Sequence, residues 1–237
     1  MATPNKSTEQ APQKRRKLLV SSAVYGYEEL LESIYALLSP SSDDDSHGYE
    51  VIMSHKGTLP VDPNVSALNS CLKAVEDCDL FLGIILPRYG SGIEEDNAHE
   101  KSITHRELLR AIELNKPHWF LVHEHVVIAR HLLEPYRDAS TKPDRFTLKS
   151  GLAFEKTPFL SDLRVLEMYE AAMRHDIPDL KDRKGNWVQT YSSDDDARLF
   201  AMAQFRRNRD LEQRHLPKLK NIDSIQAKID GTKGAQS

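Results

Sequence analysis

Asp79-Leu-Phe-Leu-Gly-Ile-Ile-Leu86, closed by Pro87-Arg-Tyr-Gly90, is the stretch on which the fold turns. The apolar run has no polar face and is far too short to cross a bilayer. It therefore reads as a strand buried on both sides, as in a parallel sheet with helices covering each face. Upstream, Leu68, Cys71, Leu72 and Val75 recur at helical spacing within Val65 to Cys78. Before them, Tyr49-Glu-Val-Ile-Met-Ser54 reads as a strand entering a loop broken by Gly57, Pro60 and Pro63. Further back, Lys17-Leu-Leu-Val-Ser-Ser-Ala23 is an apolar run that switches abruptly to hydroxyl residues. A helix from Tyr27 follows, carrying Leu30, Leu31, Ile34, Leu37 and Leu38, and it stops at Pro40.

Downstream, Ser91 to Lys101 is polar. Ser102 then opens a helix bearing Ile103, Leu108, Leu109, Ile112 and Leu114, which Asn115-Lys-Pro117 ends, and Trp119-Phe-Leu-Val122 is the next strand. Four alternations of strand and helix predict βαβ units in a doubly wound α/β sheet of about five parallel strands. From Tyr136 to Leu160 the chain is irregular and polar, which marks a candidate boundary. Ser161 is expected to cap a helix with Leu163, Leu166, Tyr169 and Met173. Gly185 to Gln189 is either a short strand or a packed loop, and Ser193 with Asp194 to Asp196 opens a final helix containing Leu199, Phe200, Met202 and Phe205. The expected organisation is a disordered basic tail (1–16), an α/β domain (17–135), a mainly helical C-terminal extension (136–222) and a flexible tail (223–237).

Composition narrows the function classes. Residues 1–17 hold five Lys/Arg against one acid and residues 205–237 hold eight against four, so the middle of a chain whose total charge is −4 carries −12. A core so acidic argues against electrostatic binding of a nucleic-acid backbone, while the basic ends read as solvated tails or contacts to an acidic partner. The two cysteines, Cys71 and Cys78, are too few for a disulfide framework, and no apolar secretory segment precedes Leu18. A reducing, cytoplasmic setting without membrane attachment is expected.

In an open parallel sheet, ligands bind beyond the carboxyl ends of the strands. That rule selects Ser21, Ser22, Tyr25 and Gly26 after the first strand, the loop from His55 to Asp62 after the second, and Arg88, Tyr89 and Gly90 after the third. It also selects the start of the helix at Ser102. Hydroxyl donors, an arginine, aromatic rings and a carboxylate suit a nucleotide. Each has a plainer reading. Ser21 and Ser22 could satisfy the loop backbone, Tyr25 could staple onto the first helix, and Arg88 could pair with the acidic Glu94-Glu-Asp96 loop. A glutamate near a helix start could simply be solvated and favoured by the dipole.

The combination of Lys17 to Gly26, Cys71-Leu-Lys-Ala-Val-Glu-Asp-Cys-Asp-Leu-Phe-Leu-Gly83, Arg88-Tyr-Gly90, Ser102-Ile-Thr-His-Arg-Glu-Leu108 and Asn115-Lys-Pro117 resembles the TIR-like domain of unknown function 4062. The later Leu163 to Glu170 segment and Gly185-Asn-Trp-Val-Gln189 look like the C-terminal extension of its bacterial members. The resemblance implies a TIR-like, flavodoxin-like fold and kinship with domains that cleave the nicotinamide glycosidic bond of NAD, and more distantly with deoxyribosyltransferases. In both, a glutamate early in the helix after the third strand carries the chemistry, and that position falls on Glu107. Loss of nicotinamide leaves an oxocarbenium-like ribose, which one carboxylate can stabilise or capture, because the cationic leaving group needs no general acid.

The expected function is thus hydrolysis of NAD or a related nucleotide, in the setting of an antiphage effector. Glu107 would be catalytic, and Ser21, Ser22, Tyr25, Arg88, Tyr89 and Ser102 would bind the nucleotide. The alternative is a non-catalytic nucleotide-sensing or assembly module that forms homo-oligomers, or docks a partner, through its C-terminal helices. This helix lacks the Trp-Cys pair common in TIR domains, which weakens the transfer of NAD cleavage in particular. His118, His123, His125 and His131 lie close in sequence, and strand alternation would put His123 and His125 on one face. Metal-ligand spacing is absent, so neither metal nor cofactor is expected. His105 is expected at the surface. Walker, dinucleotide-fingerprint and Gly-x-Ser-x-Gly motifs are missing, which excludes kinase, ordinary dehydrogenase and serine-hydrolase readings.

Overall fold

The structure is a computed structural model that describes residues 15–40, 48–92, 100–142 and 144–205. The tails and the acidic 94–96 loop singled out in the sequence lie outside the described residues. The elements follow in the order β1 Lys17–Ser22, α1 Glu28–Leu38, β2 Glu50–Ile52, α2 Ala67–Asp77, β3 Leu80–Ile85, α3 Ile103–Glu113, β4 His118–His123, α4 Glu124–Leu133, α5 Arg164–Ala172 and β5 Val188–Tyr191. A last helix, α6, covers 194–205. The five strands are all parallel in the order β2-β1-β3-β4-β5, the doubly wound α/β arrangement.

Strand alternation sorts the core into two layers. Leu18, Val20, Leu80, Leu82 and Ile84 face α1 and α6, packing on Leu30, Leu31, Ile34, Ala197, Ala201 and Phe205. Leu19, Phe81, Ile85, Phe120 and Val122 face the other way, toward Val75 of α2, Leu108 of α3, Val126 of α4 and Val165 of α5. All six residues of β3 are buried, as an uninterrupted apolar strand in the middle of a covered sheet must be. Lys116 fastens the layer on the second face. Its ammonium donates to the carbonyls of Glu76 (2.5 Å) and Cys78 (2.8 Å), the exposed end of α2, where a cation complements the helix dipole.

Gly83 of β3 stands opposite Phe120 of β4. A Cβ there would stand 2.6 Å from Phe120 Cδ1 and 3.2 Å from Phe81 Cε1, two rings already packed edge to face. Gly83→Ala should therefore cost about 1–3 kcal/mol through overpacking. A urea titration tests this: the midpoint falls with an unchanged slope, and an unaltered midpoint would refute the close approach.

The segment beyond 136 is built into the sheet. β5 pairs with β4 through Phe120–Val188 to His123–Tyr191, so Gly185 to Gln189 leads into a true strand. Phe146 and Leu160, within the irregular stretch, are core residues. α5 is anchored by Glu170, whose Oε1 accepts from Arg137 (2.9 Å) and Arg130 (3.3 Å).

Three expectations fail for identifiable reasons. Ser161 does not cap α5, which starts three residues later with Arg164 N donating to Asp162 (2.8 Å); the Ser161 hydroxyl instead accepts from Tyr89 N (2.8 Å). His125 is not a strand residue, because β4 ends at His123, which caps α4 by accepting from His125 N through Nδ1 (3.1 Å); the two rings still lie together, 4.4 Å apart, through that cap and not through strand alternation. His105 is buried, not surface, because α5 covers the face of α3 that carries it. Among the described residues no helix is long and apolar enough to cross a membrane.

Candidate functional site

β1 is followed in the sheet by β2 on one side and β3 on the other, so the connections leaving their carboxyl ends diverge. The crevice expected at such a switch point is present, as a cleft of about 910 Å³. The end of β1 and the first turns of α3 form its floor, the loops after β2 and β3 form its sides, and Lys156 and Ser161 reach in from beyond the sequence boundary.

Glu107 lies on that floor, 7% exposed, on the second turn of α3. Ser21, at the end of β1 and itself buried, donates its hydroxyl to Glu107 Oε2 at 2.5 Å. The Cys71 thiol of α2 lies close enough to act on the same carboxyl group. Three elements thus converge on one side chain. Burial raises the Glu107 pKa above the ordinary carboxylate value, with Ser21 and Cys71 pulling the other way. Burial, with the adjacent Glu107 carboxyl group, pushes the Cys71 thiol up to about 12. Cys71 therefore keeps its proton at neutral pH and is not a thiolate nucleophile.

The remaining candidates are distributed over three levels. Ser22 is partly buried beside Ser21, and its hydroxyl donates to the carbonyls of Ala23 (3.0 Å) and Ile84 (3.2 Å), tying β1 to β3; two of its roles, backbone satisfaction and a place on the cleft wall, coexist. Tyr25 and Arg88 stand at the rim. Tyr25 is 83% exposed, too far out to staple α1, and the ring that packs at the start of that helix is Tyr27. Arg88 is exposed and is close enough for its charge to oppose the burial-driven rise in the Tyr27 pKa.

Tyr89 and Ser102 lie beneath the rim. The Tyr89 hydroxyl accepts from Ser102 N (3.1 Å) and bonds His105 Nδ1 (2.9 Å), while the Arg164 guanidinium covers its ring at 4.4 Å. Ser102 is fully buried and caps α3 by accepting from His105 N (3.2 Å), so it holds the helix and does not line the cleft. Glu107, Ser21, Ser22, Tyr25, Arg88 and Tyr89 are brought together; Ser102 supports them from behind.

Sequence reasoning missed Ser70, Cys71 and Lys156. Ser70 and Cys71 are neighbours on the buried face of α2, and Ser70 Oγ is buried with no hydrogen-bond partner among the described residues. Helical spacing marked Cys71 as core, and nothing local distinguishes a core thiol from one that meets a carboxylate. Ser21→Ala removes a donor that favours the ionised form, so it should raise the Glu107 pKa further. Carbon-detected titration of the Glu107 carboxyl tests this, and an unchanged midpoint would separate Ser21 from the site.

Residues 17–215 match the model of a family described as a domain of unknown function, DUF4062. No curated protein matches the chain.

Proposed function

The chain belongs to the DUF4062 family, and from the geometry of its cleft we propose that it hydrolyses the N-glycosidic bond of NAD or a closely related nucleotide, in the manner of TIR NAD-hydrolase domains. The observation that carries this reading is the buried Glu107 carboxyl group, held by Ser21 at 2.5 Å on the floor of the switch-point cleft.

Cleavage breaks the bond between ribose C1′ and the nicotinamide nitrogen. The bonding pair goes to the ring, which leaves neutral, and positive charge passes to the ribose. The Glu107 carboxylate would face that charge in a water-poor site, where electrostatic stabilisation is strongest. Water then adds to C1′ and loses a proton, giving nicotinamide, ADP-ribose and a proton. The Ser21 donor fixes the carboxylate orientation before substrate arrives, which lowers the reorganisation needed in the transition state. Ser22 supplies a contact for ribose, and Arg88 and Lys156 supply positive charge for the diphosphate. The cationic nicotinamide ring favours ionisation of Glu107 as it binds, offsetting the effect of burial.

A second reading has its own support. A donor, the Ser21 hydroxyl, already occupies Glu107, a state that also suits a carboxyl group anchoring ribose hydroxyls without turnover, as in a sensing module. Incubation with NAD, NADP, ATP and deoxynucleosides, dilute and under enforced assembly, followed by chromatography, separates the two. Nicotinamide release is the expected result. Intact substrates in both states, with nucleotide binding retained in a titration, would replace hydrolysis by sensing; deoxynucleoside base exchange would point to transferase chemistry.

A further inference from the structure

Phe159 is 61% exposed and yet held in place. Thr157-Pro-Phe-Leu160 is a four-residue turn with proline at its second position, where a fixed φ suits it. Thr157 and Leu160 exchange backbone hydrogen bonds (2.9 and 3.3 Å), and the Thr157 hydroxyl accepts from Phe159 N (3.2 Å). Leu160 is a core residue, and Ser161 N donates to the Pro87 carbonyl (2.9 Å) just beyond β3. The residues on either side of the turn, Lys156 and Ser161, line the cleft. A large apolar ring is thus fixed in solvent at the cleft margin.

A lone exposed apolar side chain calls for no explanation, but Phe159 is the outer end of a row of rings. It meets His125 edge to face at 4.7 Å, and His125 lies 4.4 Å from His123. His123 ends β4 and packs on Tyr191 (5.3 Å), which is 2% exposed. The row therefore runs from a buried ring outward, and an edge-to-face contact at its end leaves aromatic face uncovered. A rigid, exposed ring backed in this way is pre-organised for stacking.

The order of groups over the strand ends matches the order of parts in a dinucleotide. Glu107 and Ser21 lie beneath the end of β1, where the first ribose is placed. Arg88, following β3, and Lys156 line the same cleft and carry positive charge, and Arg88 also acts on Tyr27, whose ring packs against His123. The ring row stands at the end of β4. Since β1 and β4 flank β3, their ends are about 10 Å apart across the sheet, a span that a ribose and a diphosphate together bridge.

We propose that the substrate is a dinucleotide and that Phe159, backed by His125, is the subsite on which its second base stacks. The placement of the first ribose rests on the hydrolytic reading of Glu107; the stacking surface itself does not depend on turnover.

The test uses the full chain and treats binding and turnover separately. In calorimetric titration AMP, which carries a base, should bind about tenfold or more tightly than ribose 5-phosphate, which has none. Phe159→Ala should abolish that difference and leave ribose 5-phosphate unchanged, while Phe159→Trp should preserve it. In turnover, Phe159→Ala should raise KM for NAD about tenfold with kcat retained, and should leave both constants for nicotinamide mononucleotide, which lacks the second base, unchanged. Equal binding of AMP and ribose 5-phosphate by the unmodified chain, AMP affinity indifferent to Phe159→Ala, or an equal loss with nicotinamide mononucleotide would each overturn the subsite. Absence of nicotinamide release from either substrate, with the AMP pattern intact, would overturn the hydrolytic reading and support the subsite.

Discussion

Glu107→Gln should lower nicotinamide release from NAD by about 10³-fold in kcat with little change in KM. The substitution keeps the size of the side chain and its place against Ser21, and removes the negative charge that develops its full effect only when the ribose becomes cationic. Loss confined to KM would instead make Glu107 a ground-state anchor, as the sensing reading requires. The same variant has a stability signature. A carboxyl group whose folded pKa is raised above its unfolded value stabilises the fold fully below the unfolded pKa, and that contribution is lost as pH rises toward and through the folded pKa. The native chain should therefore lose stability over this range while Glu107→Gln does not, so the variant gains relative to the native chain as pH rises. Thermal unfolding followed by circular dichroism from pH 4 to pH 8 distinguishes a removed charge from a damaged fold.

A chain ended at residue 135 should fail to fold. Phe146, Leu160, Val165 and Leu166 are each no more than 3% exposed and pack in the same cluster as Phe81, Phe120 and Val126. Full burial of such a side chain is worth about 1.5–3 kcal/mol, so four of them match the about 5–15 kcal/mol of net stability a domain usually has. Truncation also strips β5 from β4 and leaves that strand as an open edge. The expected outcome is an insoluble or molten product, checked by near-ultraviolet circular dichroism and by a single unfolding transition for the complete chain. A well-folded 1–135 fragment would show that the later segment is an appendage after all.

The sheet was legible because its evidence is local. β3 announces itself by six consecutive buried positions, and the helices before and after it by apolar spacing that survives in one dimension. β5 was ambiguous because four residues beside Gly185 and Trp187 carry too little pattern to separate strand from loop. α4 went unassigned since, of its ten residues, only Val126 is fully buried, which leaves little stripe to read. Ser21, Ser22 and Arg88 were found by the rule that places ligands at strand carboxyl ends, and that rule needs only the alternation of elements.

What was not legible depends on packing between distant segments. Glu107 reads in sequence as one more charged residue on a polar helix, and its position was singled out through family resemblance. Its burial follows from the approach of Ser21, 86 positions earlier, and of Cys71. His105 was misjudged for the same reason: the face of α3 that carries it is covered by α5, whose docking no local pattern reveals. Lys156 and Ser161 reach the cleft from a stretch whose composition resembles a linker, and only the closing of the sheet by β5 explains why they return there.

The dependence of kcat/KM for nicotinamide release on pH tests the central claim most directly. A buried Glu107 that must be ionised predicts an acidic limb with its midpoint above the ordinary carboxylate value, moved to higher pH in Ser21→Ala and absent from the residual activity of Glu107→Gln. Release that is flat with pH, or that keeps the same limb in Glu107→Gln, would contradict it.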